Sequence, residues 1–565
     1  MGGRTGWVAR WWAAIAVLVL VFASVPMDAS AKTTPVRTTI DPALLRDALA
    51  NPTKTFAVIV QAVPGAKTGR AARAGAAVQR SGGIPKHALP IVGAASATIK
   101  GGALVGLSHD KDVSYISRDS ALRATAETSW GGSLAQTPGI VETGVPSVWS
   151  TGLSGKGVGI AVVDSGVAPH PDLAGRIVAA IDFTAASPTV STTPLGDPGG
   201  HGTHVAGLAA GDGTASAGEY EGMAPQANII DVRVIDGTGS SNISTVLRGL
   251  QWVLANRATY NIRVVNLSLG AAPATSYTLD PLATAAEILT FAGIAVVVAA
   301  GNSGPGPGTI TSPGYDPYVI TVGAVDDNGT PDLTDDSIAT FSSRGPTADG
   351  AAKPDLVAPG RKMVSLRSPG SALDQLYPER QVTATNSTTA DYFRLSGTSM
   401  AAPVVAGAIA LLLERNPTLS PEQVKHHLRS TATQVASAGA ADEGAGMLDV
   451  AGAVSAVDPT QDYSLLRVTD AFATDMFAYL VGQPFVWRDP TFNGGVDSSS
   501  VTWELVTWQN VTWDSVTWEN VAWESFSWMS VSWESVSTES VTWDAAEPLS
   551  AGALGSSGGG WKLVN

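Results

Sequence analysis

Apolar and polar positions divide the chain into three patterned stretches. Between about residues 156 and 455, short apolar runs alternate with helical patterns. The runs at 158–163, 229–234, 264–268, 294–299 and 319–322 are rich in Val and Ile, and helical stretches lie at 203–211, 243–257 and 281–292. Strands apolar on both faces and separated by helices predict an α/β domain with a doubly wound, mostly parallel sheet. Active sites of such folds lie at the carboxyl ends of the strands, so polar residues at those ends carry the functional question. Upstream, residues 56–60 and 113–117 also read as strands, and the small and apolar residues from Ala94 to Leu107 suit further strands and a helix.

The third pattern is a five-residue unit repeated nine times from Val501 to Ala545. Eight units carry Trp in the third place, namely Trp503, Trp508, Trp513, Trp518, Trp523, Trp528, Trp533 and Trp543, and Thr538 fills that place in the remaining unit. A helix turns through about 500° in five residues, which scatters the Trp side chains. A straight strand sends successive Trp to opposite faces. Only a coil with a turn every few residues stacks them on one side, so a small solenoid and a structureless tail both remain open.

Charge changes the picture of the upstream part. The whole chain has net charge −15, but residues 32–124 hold 13 Lys/Arg against 5 Asp/Glu, while residues 125–565 hold 19 against 43. Bodies of opposite sign attract. The acidic total argues against a nucleic-acid partner. With no cysteine in the chain, disulfides, thiolate metal sites and a cysteine nucleophile are excluded. At the start, Arg4 and Arg10 precede an apolar run from Trp11 to Val25 and the small triplet Ala29-Ser30-Ala31. That order predicts an export signal cut after Ala31 and a secreted, extracellular product.

Three motifs sit where chemistry is expected. Asp164 closes the first apolar run in Val163-Asp164-Ser165-Gly166-Val167. His201 opens a small-residue helix in Gly200-His201-Gly202-Thr203-His204-Val205-Ala206-Gly207. Ser399 lies in Gly397-Thr398-Ser399-Met400-Ala401-Ala402-Pro403. Singly, each has a plain structural reading: a turn Asp, a packed or metal-binding His pair lacking a third ligand, and a helix-capping Ser. Together, in the order Asp, His, Ser, they resemble the subtilisin-like serine proteases (subtilases, peptidase family S8). The resemblance runs from about Gly155 to Val454. Four more blocks agree: Asn266-Leu267-Ser268-Leu269-Gly270, Ala299-Ala300-Gly301-Asn302, Phe341-Ser342-Ser343-Arg344-Gly345-Pro346, and Lys353 to Gly360.

The resemblance implies a serine endopeptidase that works through an acyl-enzyme. Ser399 would be the nucleophile, His201 its base and Asp164 the group that orients the imidazole. The Ser399 backbone N–H and the Asn302 side chain would hold the oxyanion. Ser268, Leu269 and Gly270 would pair with an extended peptide. Ala299, Ala300 and Gly301 would wall the primary specificity pocket, with residues 311–314 near its base. No acidic residue falls in these segments, so the expected preference is apolar rather than basic. His204 is expected to pack within its helix, and Asp197 to be a solvated loop carboxylate. The chemistry requires no cofactor; calcium as a structural ion is compatible with the resemblance, although no ligand loop stands out and the metal residues are unknown.

The expected organisation is a signal peptide (1–31), an inhibitory, folding-assisting propeptide of ferredoxin-like α+β type (32–124), the catalytic domain (125–458), a linking segment (459–500), the Trp repeat (501–545) and a Gly-rich end (546–565). Self-processing is expected between about Arg118 and Ser129. The partners are then protein or peptide substrates and the chain's own propeptide. The Trp repeat suits binding to cell-wall glycan or self-association. The alternative is a surface or polysaccharide-binding protein in which that repeat is the working part and the protease domain is secondary.

Overall fold

A computed structural model describes residues 39–63, 69–124, 139–273, 276–330, 332–435, 438–458, 507–509 and 527–529. The expected signal peptide, the processing region from residue 125, the linking segment, the Gly-rich end and most of the Trp repeat lie outside the described residues. Of the repeat, Thr507–Gln509 and Ser527–Met529 form two short parallel strands that align Trp508 with Trp528.

The basic region folds around one five-stranded sheet. Its elements are β1 (Thr39–Ile40), α1 (Pro42–Ala50), β2 (Thr55–Ala62), α2 (Arg70–Arg80), β3 (Ile84–Leu89), β4 (Ala94–Lys100), α3 (Gly101–Leu107) and β5 (Val113–Arg118), with strand order β1-β5-β2-β4-β3. From β2 onward this is a split β-α-β-β-α-β unit. Asp41 starts α1 by accepting from Leu44 N at 2.6 Å, with Pro42 in the first turn where its missing N–H costs nothing. Alternation along β2 sorts the side chains. Phe56, Val58 and Val60 join Ala74, Val78, Leu104 and Leu107 in the region's own core. Ile59 points the other way and is equally buried, in a cluster shared with the larger domain.

That larger domain follows a short strand, β6 (Ala121–Ala124). Among its strands and helices, in order, are β7 (Gly159–Asp164), β8 (Ile177–Asp182), α4 (His201–Ala210), β9 (Asn228–Arg233), β10 (Ser240–Asn242), α5 (Ile243–Asn256), β11 (Ile262–Leu267), β12 (Leu269–Gly270), α6 (Pro281–Phe291), β13 (Ala295–Ala299), β14 (Ile320–Asp326), β15 (Ser337–Ile338), β16 (Leu356–Pro359), β17 (Met363–Leu366), α7 (Ala372–Leu376), β18 (Gln381–Val382), β19 (Tyr392–Leu395) and α8 (Thr398–Arg415). The main sheet runs β15-β14-β13-β11-β7-β9-β8 with β16 beside β14. All its pairings are parallel except β14 with β15.

Every residue of β7 is buried, and its period of two fills two cores. Ile160 and Val162 pack with Val205 of α4 and Val404 of α8. Ala161 and Val163 pack with Leu247 and Leu250 of α5 and Leu282 of α6. From β7 the chain first builds toward β8 and β9, then returns to build β11 and β13 on the other side. That reversal marks the topological switch point, where clefts form. Helix α8 is apolar and long enough to cross a membrane by composition, but 89% of it is buried within the domain.

Candidate active site

Asp164 is the last residue of β7, at the switch point, and is fully buried. Its Oδ1 accepts from Ser165 N at 2.7 Å and from His201 Nδ1 at 2.8 Å. His201 opens α4 and is only 3% exposed. Burial alone would lower its pKa, but the charge and hydrogen bond of Asp164, aided by the charge of Asp197, raise it above the ordinary imidazole value. The fold thus favours the imidazolium that a general base becomes. His201 Nε2 has no hydrogen-bond partner and is the nitrogen available to take a proton.

Ser399 lies in the first turn of α8, which packs against α4. The turn is entered through Gly397 at φ 147°, ψ 160°, a region open essentially to glycine alone. Ser399 Oγ donates to Ser268 O at 3.1 Å, and Ser268 Oγ donates back to Ser399 O at 2.9 Å. Asn266 Nδ2 donates to Ser268 Oγ at 2.9 Å and completes the link. Asn302 has its carbonyl end engaged: Oδ1 accepts from Thr398 N at 3.0 Å and from Thr398 Oγ1 at 2.9 Å. Asn302 is thus held against the first turn of α8, which carries Ser399. The helix N-terminus adds its own positive end there.

Strand β6 lies between β10 and β12. Both ladders are antiparallel: Arg123 pairs with Ser240 and with Gly270, Leu122 with Ser241, and Ala124 with Leu269. Leu122 is fully buried in the apolar cluster that holds Leu269 and Ile243. A segment of the basic region thus occupies the extended groove that leads to Ser268, beside Ser399.

Residues 155–447 match the profile of the subtilase family. The chain belongs to the subtilase family. Over 284 residues this subtilase is 46% identical to serine protease AprX of Bacillus subtilis (strain 168), covering 49% of the chain and 62% of AprX. Over 299 residues it is 36% identical to subtilisin Savinase of Lederbergia lenta, covering 53% of the chain and 92% of that relative. Among solved structures it resembles fervidolysin of Fervidobacterium pennivorans, described as a keratinolytic enzyme related to subtilisin, with TM-score 0.57 and 26% identity over 72% of this chain and 62% of that one. The subtilase thus spans less than two thirds of AprX and of fervidolysin.

Two residues of this subtilase have surroundings that the sequence did not disclose. Asp197 is buried, not solvated, at 5% exposure. It accepts from Gly200 N (2.7 Å), Ser165 Oγ (2.8 Å), Thr203 N (2.8 Å) and Thr203 Oγ1 (2.8 Å). Burial holds its pKa above the ordinary range despite these donors. Its loop is fastened from outside by residues 367–391: Ser368 Oγ donates to Asp197 O (2.9 Å), Ala372 N to Pro198 O (2.9 Å) and Leu373 N to Gly199 O (3.2 Å). His204, also buried, is held neutral, with its pKa lowered to about 3 by burial and by His201. Its Nε2 donates to the carbonyls of Met363 (3.1 Å) and Phe393 (3.0 Å). Among the described residues no group of three or more His, Asp or Glu side chains is placed to hold a metal ion, so no calcium ligands are named.

Proposed function

We propose that this subtilase is a secreted serine endopeptidase made as a self-processing zymogen. The observation that carries the reading is the coupling of Asp164 to His201 Nδ1 at 2.8 Å while Nε2 stays unpaired. In the reaction the Ser399 hydroxyl would leave Ser268 O for that nitrogen. His201 takes the proton as Ser399 Oγ adds to the scissile carbonyl. The oxyanion is met by Ser399 N–H and the Asn302 amide. His201 then protonates the leaving amine, and water repeats the sequence on the acyl-enzyme. The chemistry needs no cofactor.

In this reading the propeptide runs one residue beyond the expected 32–124, and β6 is held as substrate is held. A substrate strand continuing the register of β6 sets its next residue against Ser268, whose carbonyl receives the Ser399 hydroxyl. In this chain the next residue is Thr125, so the proposed processing bond is Thr125–Ala126. The amino-terminal sequence pattern supports export.

Mass spectrometry of the secreted wild type and of Ser399→Ala tests all three parts. The wild type should begin at Ala126 and label with a fluorophosphonate at Ser399. The variant should keep the propeptide and take no label. A wild-type chain that takes no label after propeptide removal would favour the alternative, a glycan-binding or surface protein in which the Trp repeat does the work.

A further inference from the structure

The two walls of the primary pocket meet on one side chain. A Cβ built on Gly270 would lie 2.7 Å from Thr311 Oγ1, and one built on Gly301 would lie 2.7 Å from Thr311 Cγ2. Thr311 therefore packs directly on both glycines. It is also fixed there. Thr311 Oγ1 donates to Ala300 O at 3.2 Å, and Thr311 N donates to the same carbonyl at 3.0 Å. The following residue, Ser312, exchanges two backbone hydrogen bonds with Ala271, at 2.9 and 3.2 Å, next to Gly270. A β-branched side chain has few rotamers to begin with, and these bonds leave it no room to swing aside.

At the fourth residue before the proposed scissile bond the situation is reversed. Leu122 is completely buried among apolar side chains between β10 and β12. The fold thus seats one large apolar side chain there.

We propose that Thr311 is a specificity-determining residue that restricts the pocket before the scissile bond to small side chains such as Ala, Ser and Thr. Selection among substrates then rests on a large apolar residue in the seat of Leu122. This inference deepens the endopeptidase reading and rests on it. The chain's own sequence Leu122-Arg123-Ala124-Thr125 meets both requirements.

The test uses the processed enzyme and internally quenched peptides of the form Leu-Arg-Ala-X-Ala, with X as Ala, Thr, Phe, Tyr or Lys. Ala and Thr should be cleaved with kcat/KM at least about tenfold above Phe and Tyr, since an overfilled pocket discriminates on that scale. Exchanging the leading Leu for Ala should cost at least about tenfold. Thr311→Gly should raise the Phe-to-Ala ratio at least about tenfold, and Thr311→Ala by less. If Thr311→Gly fails to fold, the wild-type panel and Thr311→Ala still decide. Phe cleaved as well as Ala by the wild type, or a ratio that Thr311→Ala and Thr311→Gly leave unmoved, overturns the proposal. Fluorophosphonate labelling of the same preparation separates the two failures. Label without size selectivity sinks the pocket assignment alone, whereas no label and no cleavage of any peptide sinks the endopeptidase reading and this proposal with it.

Discussion

The two domains treat their sheets differently. The larger one covers both faces of its sheet with its own helices, α4 and α8 on one side and α5 and α6 on the other. The smaller one covers a single face with α2 and α3. It turns the other, carrying Ile59, Leu89, Ile91, Val92 and Ala94, onto the cluster built by α5 and α6 of the larger. The junction is otherwise polar only in places: Ser244 N and Oγ donate to Asp119 at 2.9 and 2.7 Å, and Ile91 N donates to Gln251 Oε1 at 3.3 Å. The smaller domain's ion pairs, such as Arg80 with Asp110 and Arg118 with Asp47, are internal. Opposite net charge thus draws the two together over distance, while apolar burial holds them once in contact. One domain is complete in itself and the other is a half-sandwich that needs a partner.

If the complete domain does the chemistry and the half-sandwich only covers it, substitutions in the first should dominate. Ser399→Ala should lower kcat by on the order of 10⁶, as in the related subtilisin, and leave the chain unprocessed; processing that persists would show that the cut is made by another enzyme. Asp164→Asn should cost on the order of 10⁴ through the wrong imidazole tautomer, measured on the same peptide. The pH profile checks the same pair. With the His201 pKa raised, the base is lost as pH falls through a value above the ordinary 6.5 or so, so the acid limb of kcat/KM should lie above that point. The same shift stabilises the fold below the ordinary value, and this contribution fades as pH rises through the raised one. An acid limb at or below the ordinary value breaks the assignment. Asn302→Ala should cost on the order of 10² to 10³ in kcat with little change in KM; a loss confined to KM would move Asn302 from oxyanion binding to ground-state binding.

Effects from the covering domain should be smaller. Burying a Leu side chain contributes about 1.5–3 kcal/mol, so Leu122→Ala should shorten the lag before peptidase activity appears by at least about tenfold. An unchanged lag would mean that β6 is not what holds the cover in place. Salt should do least. Raising ionic strength from about 0.01 M to about 1 M shrinks the screening length from about 30 Å to about 3 Å. That should slow reassociation of the released domain several-fold and leave its dissociation rate alone. A salt-sensitive dissociation rate would sharpen the comparison the other way, toward charged contacts at the junction.

The legibility of these two regions differed for the same physical reason. The buried strands of the larger sheet announce themselves as unbroken Val/Ile runs, and β7, β9, β11 and β13 fall within two residues of where those runs lie. β14 begins one residue late and continues to Asp326. Strand β3, with Pro85, Lys86 and His87, is largely exposed at a sheet edge and carries no such signal. Strand β6 has no pattern at all in Ala121-Leu122-Arg123-Ala124; its conformation is supplied by the two edges on either side. The triad motifs were visible because three rare flanking patterns occur in one order. Asp197 was not, because nothing in Gly196-Asp197-Pro198 shows that Ser165, Gly200 and Thr203 all close around it. Two of its four donors sit on Thr203 and one on Gly200, while the fourth, Ser165 Oγ, is brought in by the fold from the end of β7. The stretch 367–391 was equally silent, since two of its three bonds to residues 197–199 are made by its backbone N–H groups.

The strand between β10 and β12 has one more consequence. If β6 leaves, as the proposed processing requires, it opens a slot one strand wide, bounded by two rows of backbone hydrogen-bonding groups. Neighbouring strands sit about 4.8 Å apart, so the slot admits a single stretched chain and refuses a helix or an intact hairpin. Cutting then depends on how often a target protein lets a few consecutive residues come loose, which is set by its local opening free energy. Such an enzyme reads the looseness of a chain before it reads the sequence, and the tightly folded proteins around it, its own mature domain included, are spared by their stability alone.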